Sequence, residues 1–277
     1  MSELNTANAG VLVHRVAQIR GGMGKEAREA SRDAVEYLNT QHAGVASVTA
    51  FEETFGTRDK LHWILNMRSF TDYAQLNGSE PGGVFTNPRL EEWDRLFVEG
   101  SVRDTVMQPH RWGMHGTLTE AMVADPSVHP NVQGEIGPMF QVTPASAQTE
   151  QSDSEIIHSG NAGLVMRRTA DFSYSFREEA RVFARTIAEM VNLSSRGQAT
   201  VFLYEEDFGR MDRVHWLIHL RSMEVYYLLM GLDSRTDADA PRVTYLQDWI
   251  SMDKGGGSWD RMLIQGSVRD LALTPQR

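Results

Sequence analysis

A histidine, then an amide or second histidine, then an arginine recur at one spacing in two places. They are His62, Asn66 and Arg68 in LHWILNMRS, and His215, His219 and Arg221 in VHWLIHLRS. Both stretches are apolar, aromatic and β-branched enough to read as strands, in which successive side chains point to opposite faces. Leu61, Trp63, Leu65 and Met67 then share one face, and His62, Ile64, Asn66 and Arg68 the other. In the second copy Val214, Trp216, Ile218 and Leu220 oppose His215, Leu217, His219 and Arg221. The purely apolar set is expected to lie under helices. The mixed set offers proton acceptors, hydrogen-bond donors and a fixed cation, which together can deprotonate a weak acid and hold the resulting enolate or phenolate.

The two copies differ where chemistry is concerned. Asn66 is matched by His219, and Phe51 by Tyr204, so the second copy carries titratable groups where the first has none. An imidazole titrates near neutrality and an amide does not. His219, Arg221 and Tyr204 are therefore the expected catalytic residues, with Arg221 about 7 Å along the same strand face from His219. His62, Asn66, Arg68, His215 and His14 are the expected substrate-binding residues, His14 being matched to Met166 across the two copies. Other roles stay open. His62 and His215 stand beside Asp59 and Asp212 and would equally tie a turn. Arg68 and Arg221 would equally pair with Glu53 and Glu206, or with Asp104 and Asp270. Tyr204 would pack as an ordinary aromatic, and His14 would serve as a core or rim residue. No metal site is expected, because four residues on a strand separate His215 from His219 by about 13 Å. The chain has neither an H-E-x-x-H zinc motif nor a G-x-S-x-G elbow, and GGMGK at Gly21–Lys25 lacks the spacing of a phosphate loop.

These strands sit in a larger repetition. EETFGTRDKLHWILNMRS from Glu52 recurs as EEDFGRMDRVHWLIHLRS from Glu205, and WDRLFVEGSVRDTVMQP from Trp93 recurs as WDRMLIQGSVRDLALTP from Trp259. The period of about 150 residues far exceeds the unit of a solenoid, so a whole domain is duplicated. In the first copy, strands are expected at 11–19, 45–53, 61–68 and 101–107. Helices follow the glycines at Gly21, Gly22 and Gly24, and Ser69; a short one is expected at Trp93. The second copy repeats the order from Leu164, with a capping box at Ser175 and Glu178. Each copy is thus β-α-β-β-α-β, the ferredoxin-like plan. The expected division is a disordered N-terminus (1–10), a first repeat (11–109), a linker or lid (110–162) and a second repeat (163–277). Residues 144–155, PASAQTEQSDSE, read as flexible, and 112–140 as a docked connector or lid. Arg103–Asp104 and Arg269–Asp270 are expected as ion pairs.

Two ferredoxin-like units whose third strand carries HW[IL]-x-x-x-RS resemble the dimeric α/β-barrel superfamily. That group includes antibiotic-biosynthesis monooxygenases, small polyketide cyclases and haem-containing chlorite dismutase-like proteins. The resemblance implies an α+β fold in which two tandem repeats pack sheet to sheet as a pseudo-dimeric barrel, with a ligand cavity between the sheets. It further implies an enzyme of specialised metabolism, a cyclase or monooxygenase, acting on a hydrophobic polyketide-like or aromatic substrate. The alternative is a small-molecule-binding protein of the same fold. The haem-bearing relatives hold iron through a helix-borne histidine, which neither predicted second helix supplies, so no tightly bound cofactor is expected.

Composition agrees with a soluble, cytoplasmic protein: 41% of the 277 residues are apolar, enough for a core, and MSELNTANAG lacks a signal peptide's basic and apolar regions. The net charge of −10 argues against nucleic acid and anionic membranes as partners. With no cysteine there is neither disulfide, thiolate metal site nor cysteine nucleophile. Assembly of the duplicated chain as a homodimer stays open.

Overall fold

The computed structural model describes residues 3–77, 93–110, 143–229 and 261–276. The first half runs β1 (Val11–Gln18), α1 (Gly24–Gln41), β2 (Ala46–Phe55), β3 (Lys60–Met67), α2 (Phe70–Asn77), α3 (Trp93–Leu96) and β4 (Arg103–Pro109). The second runs β5 (Leu164–Asp171), α4 (Arg177–Ser194), β6 (Ala199–Asp207), β7 (Arg213–Leu220), α5 (Met223–Leu229) and β8 (Arg269–Pro275). The eight strands close an antiparallel barrel in the order β1-β3-β2-β8-β5-β7-β6-β4. The order β4-β1-β3-β2 of the first half therefore recurs as β8-β5-β7-β6. Its free edges are sealed by β2 on β8 and β4 on β6, so that each of the eight described strands is paired on both sides.

Strand alternation divides the side chains as the sequence requires. Trp63 and Trp216 point outward beneath the helices, where their indole N–H groups donate to Ser31 Oγ (2.9 Å) and the Ala184 carbonyl (3.0 Å). Ala180, Ala184 and Ala188 are buried together with Phe183 and Asn192, so small side chains make up most of the face that α4 turns to the sheet. Asn39 and Asn192 each bond both the N–H and the C=O of one strand residue, Val48 and Val201 respectively, fixing helix to strand identically in both halves. Inside the barrel Leu12, Phe51, Ile64, Val165, Phe202 and Leu217 belong to one buried apolar cluster. Among the described residues, no helix is long and apolar enough to cross a membrane.

Two expectations about non-periodic segments are corrected. Residues 4–10, expected to lack order, enter one end of the barrel, with Thr6 and Ala9 fully buried. Residues 156–163 enter beside them. The two segments are reciprocally bonded, Thr6 N to Ser159 Oγ (3.3 Å) and Ser159 N to Thr6 Oγ1 (3.0 Å). Gly10 N donates to the Met67 carbonyl and Gly163 N to that of Leu220, so each segment extends the end of its own sheet. Within residues 144–155, expected to be flexible, 144–151 is anchored by buried amides. Gln148 donates to the carbonyls of His110 and Leu203 and accepts from Leu203 N, standing in for a strand on the edge of β6. Gln151 donates to the Asn192 and Ala199 carbonyls and accepts from the Thr200 hydroxyl. The segment 112–140 and Trp259 lie outside the described residues. The expected neighbour pairs Arg103–Asp104 and Arg269–Asp270 are also replaced: consecutive strand residues point apart, and the carboxylates bind the arginines opposite them, Arg15–Asp104 and Arg168–Asp270, both at 2.7 Å.

Candidate functional site

The end of the barrel away from the plug holds a cavity of about 720 Å³. His62 and His215 enter its wall from β3 and β7, Glu53 and Glu206 from β2 and β6, and Arg167 and Thr169 from β5. The two glutamates are held by the hairpin tips. Thr57 N donates to Glu53 Oε1 (2.7 Å) and Arg210 N to Glu206 Oε1 (3.2 Å). A Cβ on Gly56 or Gly209 would overlap the carboxylate it faces, so the repeated Phe-Gly of both hairpins leaves room for an acid turned back into the barrel.

The inward face of β1 and β5 is where the halves diverge. His14 is paired with Ile64 and Arg167 with Leu217, which makes Arg167, not Met166, the counterpart of His14. Arg167 Nη1 donates to His14 Nδ1, and His14 Nε2 lies 3.0 Å from His62 Nδ1. In the second half His215 Nδ1 lies 2.9 Å from Thr169 Oγ1, and its Nε2 is 3.3 Å from Glu206 Oε2. Arg167 meets no carboxylate within ion-pair distance among the described residues, and its buried Nε has no partner there.

Burial governs the electrostatics. It lowers Arg167 from the ordinary guanidinium value to about 10, with Arg213 adding to the effect and Glu206 opposing it, so the group is still a cation at neutral pH. It lowers His62 to about 3, reinforced by the charges of Arg167 and Lys60. His14 falls well below its usual value by burial, then by Arg167, His62 and His215. His215 is lowered by burial although the bond to Glu206 pulls the other way. Burial would raise Glu206, but the bonds from His215 and the Arg210 N–H outweigh it and the carboxyl is lowered. His62 Nε2 and Glu53 Oε2 stand 3.6 Å apart, and with a neutral ring this is a facing dipole and charge, not an ion pair. The wall thus combines an unmatched cation, neutral imidazoles and carboxylates, which can bind an anion and take up a proton.

The expected site residues fall into three places. His62 and His215 line the cavity, with His14 directly behind them. Asn66, His219 and Tyr204 are fully buried and border the plug instead. His219 Nε2 lies 2.9 Å from Thr6 Oγ1, and the Tyr204 hydroxyl donates to the Thr6 carbonyl at 2.6 Å. Burial pushes the Tyr204 phenol far above its usual range and His219 down to about 3, so neither titrates near neutrality. Arg68 and Arg221 are exposed, past the strand ends where alternation no longer applies, and Arg221 Nε donates to the Gly197 carbonyl outside the barrel. The expected row from His219 to Arg221 therefore does not share one cavity. Arg167, Glu53, Glu206 and Thr169 were missed. Pairing β1 with β5 at the spacing that relates His62 to His215 would have found Arg167, and the repeated Glu-x-Phe-Gly would have marked Glu206.

A haem, which the resemblance attaches to part of the superfamily, does not fit the described residues. Neither α2 nor α5 carries a histidine, both ring nitrogens of His14 and of His215 are engaged, and the remaining one, His62 Nε2, is buried against Glu53. No group of three metal-ligating side chains occurs among the described residues.

Comparison with known proteins agrees with the architecture. The chain is similar to two crystal structures each called "putative monooxygenase". For that from Fusobacterium nucleatum the TM-score is 0.57, at 9% identity over 97% of this chain and 93% of that one. For that from Lactobacillus acidophilus it is 0.54, at 8% identity over 97% and 95%. A mutant chlorite dismutase from Candidatus Nitrospira defluvii gives 0.51, at 14% identity over 98% and 94%. At such identities the likeness is one of fold, and it covers the whole barrel. Among curated proteins there is no match. A family model does match, over residues 2–277: the chain belongs to the family of unknown function DUF6039.

Proposed function

We propose that the chain is an enzyme that deprotonates a weakly acidic phenol or β-dicarbonyl compound at the open end of the barrel. The carrying observation is Arg167, a buried guanidinium without a carboxylate partner among the described residues, set among neutral imidazoles on a cavity wall. A buried cation of this kind gains most from an anion that forms in place, because the low-dielectric wall strengthens the pairing. The substrate loses a proton to the wall, its oxygen becomes an oxyanion on Arg167, and the activated carbon attacks either an internal carbonyl or dioxygen. Cyclase and monooxygenase chemistry in polyketide-like or aromatic metabolism, without a tightly bound cofactor, is the reading this supports. Two proteins of like fold called monooxygenases are in keeping with it.

A binding protein is the second reading, favoured by the engagement of both nitrogens in His14 and in His215. Deuterium exchange at the central carbon of a β-diketone probe separates the two. An enzyme accelerates the exchange and Arg167→Gln removes most of the acceleration; a binder shifts probe resonances without exchange.

A further inference from the structure

Resting on that reading, we infer that Glu53 is the proton acceptor of the site and that His62, oriented by His14, acts as a hydrogen-bond donor beside it. The inference follows from which atoms can donate. A guanidinium has only donors, so the contact with Arg167 Nη1 obliges His14 Nδ1 to accept. The His14 proton then sits on Nε2, which donates to His62 Nδ1 at 3.0 Å. With Nδ1 accepting, neutral His62 carries its own proton on Nε2. The chain Arg167→His14→His62 runs in one direction only and ends on an N–H.

That N–H faces Glu53 Oε2 at 3.6 Å, too long for a hydrogen bond, and both atoms are buried without a hydrogen-bond partner among the described residues, Glu53 Oε2 having only the Lys60 ammonium at 3.9 Å. A hydroxyl oxygen lying against both satisfies them together: it accepts from His62 Nε2 and donates to Glu53 Oε2. This is the hydrogen-bonding pattern of an enol or a phenol, not of a carboxylate or a ketone. When the O–H bond breaks, the proton passes to Glu53 Oε2. The electron pair stays on the substrate oxygen, held by His62 Nε2–H, with the charge of Arg167 acting on it through the hydrogen-bonded chain, and no redox partner is involved.

His14 does not line the cavity and touches the wall only through Arg167 and His62, which makes it a positioning residue. The second half lacks this device. Val16 of the first half is replaced by Thr169, whose hydroxyl donates to His215 Nδ1, and His215 Nε2 is already within 3.3 Å of Glu206. The halves are therefore unequal, and the first carries the proton transfer. The groups facing Glu53 and His62 are Lys60 on β3, with Nζ 3.9 Å from Glu53 Oε2, His14 on β1 and Arg167 on β5. The same wall also carries His215, Glu206 and Arg213 from β6 and β7, Asp171 from β5, Arg210 from the second hairpin, and Arg269 and Asp270 from β8.

Two measurements test this. Nitrogen-15 correlation spectra of the histidine rings in the free protein at neutral pH should show His14 and His62 neutral, each protonated on Nε2. In His14→Gln, whose amide can accept from Arg167 and donate onward, His62 should keep that form; in His14→Leu its Nδ1 resonance should move toward that of an unbonded nitrogen. A His62 protonated on Nδ1 overturns the inference. The second measurement is binding of 4-nitrophenol below its own pKa. Wild type keeps the phenol proton on Glu53, so affinity is flat with pH. Glu53→Gln must take the phenolate from solution and loses about tenfold in affinity per pH unit as pH falls. Identical pH profiles for both proteins refute Glu53 as acceptor while leaving Arg167 as the anion site. Loss of nitrophenol binding in neither Arg167→Gln nor Glu53→Gln refutes the proposed function as well.

Discussion

At the scale of single residues, charge and burial decide the chemistry. Among the described residues Arg167 is where the duplicated wall replaces an imidazole, His14, by a fixed cation, and the hydrogen bonds of two other residues, His14 and His62, are ordered from it. Arg167→Gln should weaken binding of 4-nitrophenolate by about tenfold to a hundredfold, the worth of about 1.5–3 kcal/mol for a charged hydrogen bond, with the fold kept. The buried histidines also set a pH limit on stability. His62 and His219 are lowered to about 3, and His14 and His215 are lowered as well, whereas unfolded histidine titrates near 6.5. Between those values the unfolded chain binds protons that the folded one does not, so stability rises with pH through that window and is lost as pH falls below about 6.5. Urea midpoints measured from pH 7 to pH 4 should fall steadily, and His219→Asn should flatten part of the slope. A midpoint constant down to pH 5 would contradict the buried neutral state.

At the scale of elements, periodic segments were legible and non-periodic ones were not. Strands β1 to β8 and helices α1 and α4 follow from alternation and helical spacing because each buries one regular face. The plug at 4–10 and 156–163 has no period: its groups are satisfied by each other, Thr6 by Ser159, His219 and Tyr204, and polar residues satisfied in pairs look like solvated loop in a sequence. The repeated Asn-Ala-Gly, at Asn8–Gly10 and Asn161–Gly163, was the available signal. Thr6→Val removes that cluster's hydroxyl and should cost about 1–3 kcal/mol, since buried partners are left unpaired. Equilibrium denaturation measures it. The hairpin tips make a second test. Gly56 has φ 127° and leaves no space for a methyl group beside the Glu53 carboxylate. Gly56→Ala should both destabilise the fold and change the pH profile of nitrophenol binding, whereas alanine at the open Gly21 should do neither.

At the scale of the whole molecule, the site exists because the barrel closes. Its wall takes Glu53 and His62 from one half and Arg167, His215 and Glu206 from the other, and the backbones of the two sheets are joined along β2–β8 and β4–β6. A fragment of residues 1–142 leaves β2 and β4 as bare edges and should self-associate or precipitate, as size-exclusion chromatography would show. The closed end is equally part of the design. His219 and Tyr204, the residues whose types argued most strongly for catalysis in the sequence, are used to hold the plug, and a strand pattern alone cannot tell which end of a barrel is stoppered.

The open end as the functional site is tested most directly by calorimetric titration of 4-nitrophenolate into wild type, Arg167→Gln and His219→Asn. Arg167→Gln should lose at least tenfold in affinity, and His219→Asn should stay within about twofold of wild type while being less stable. Full affinity in Arg167→Gln together with its loss in His219→Asn would place the ligand at the plugged end and contradict the account.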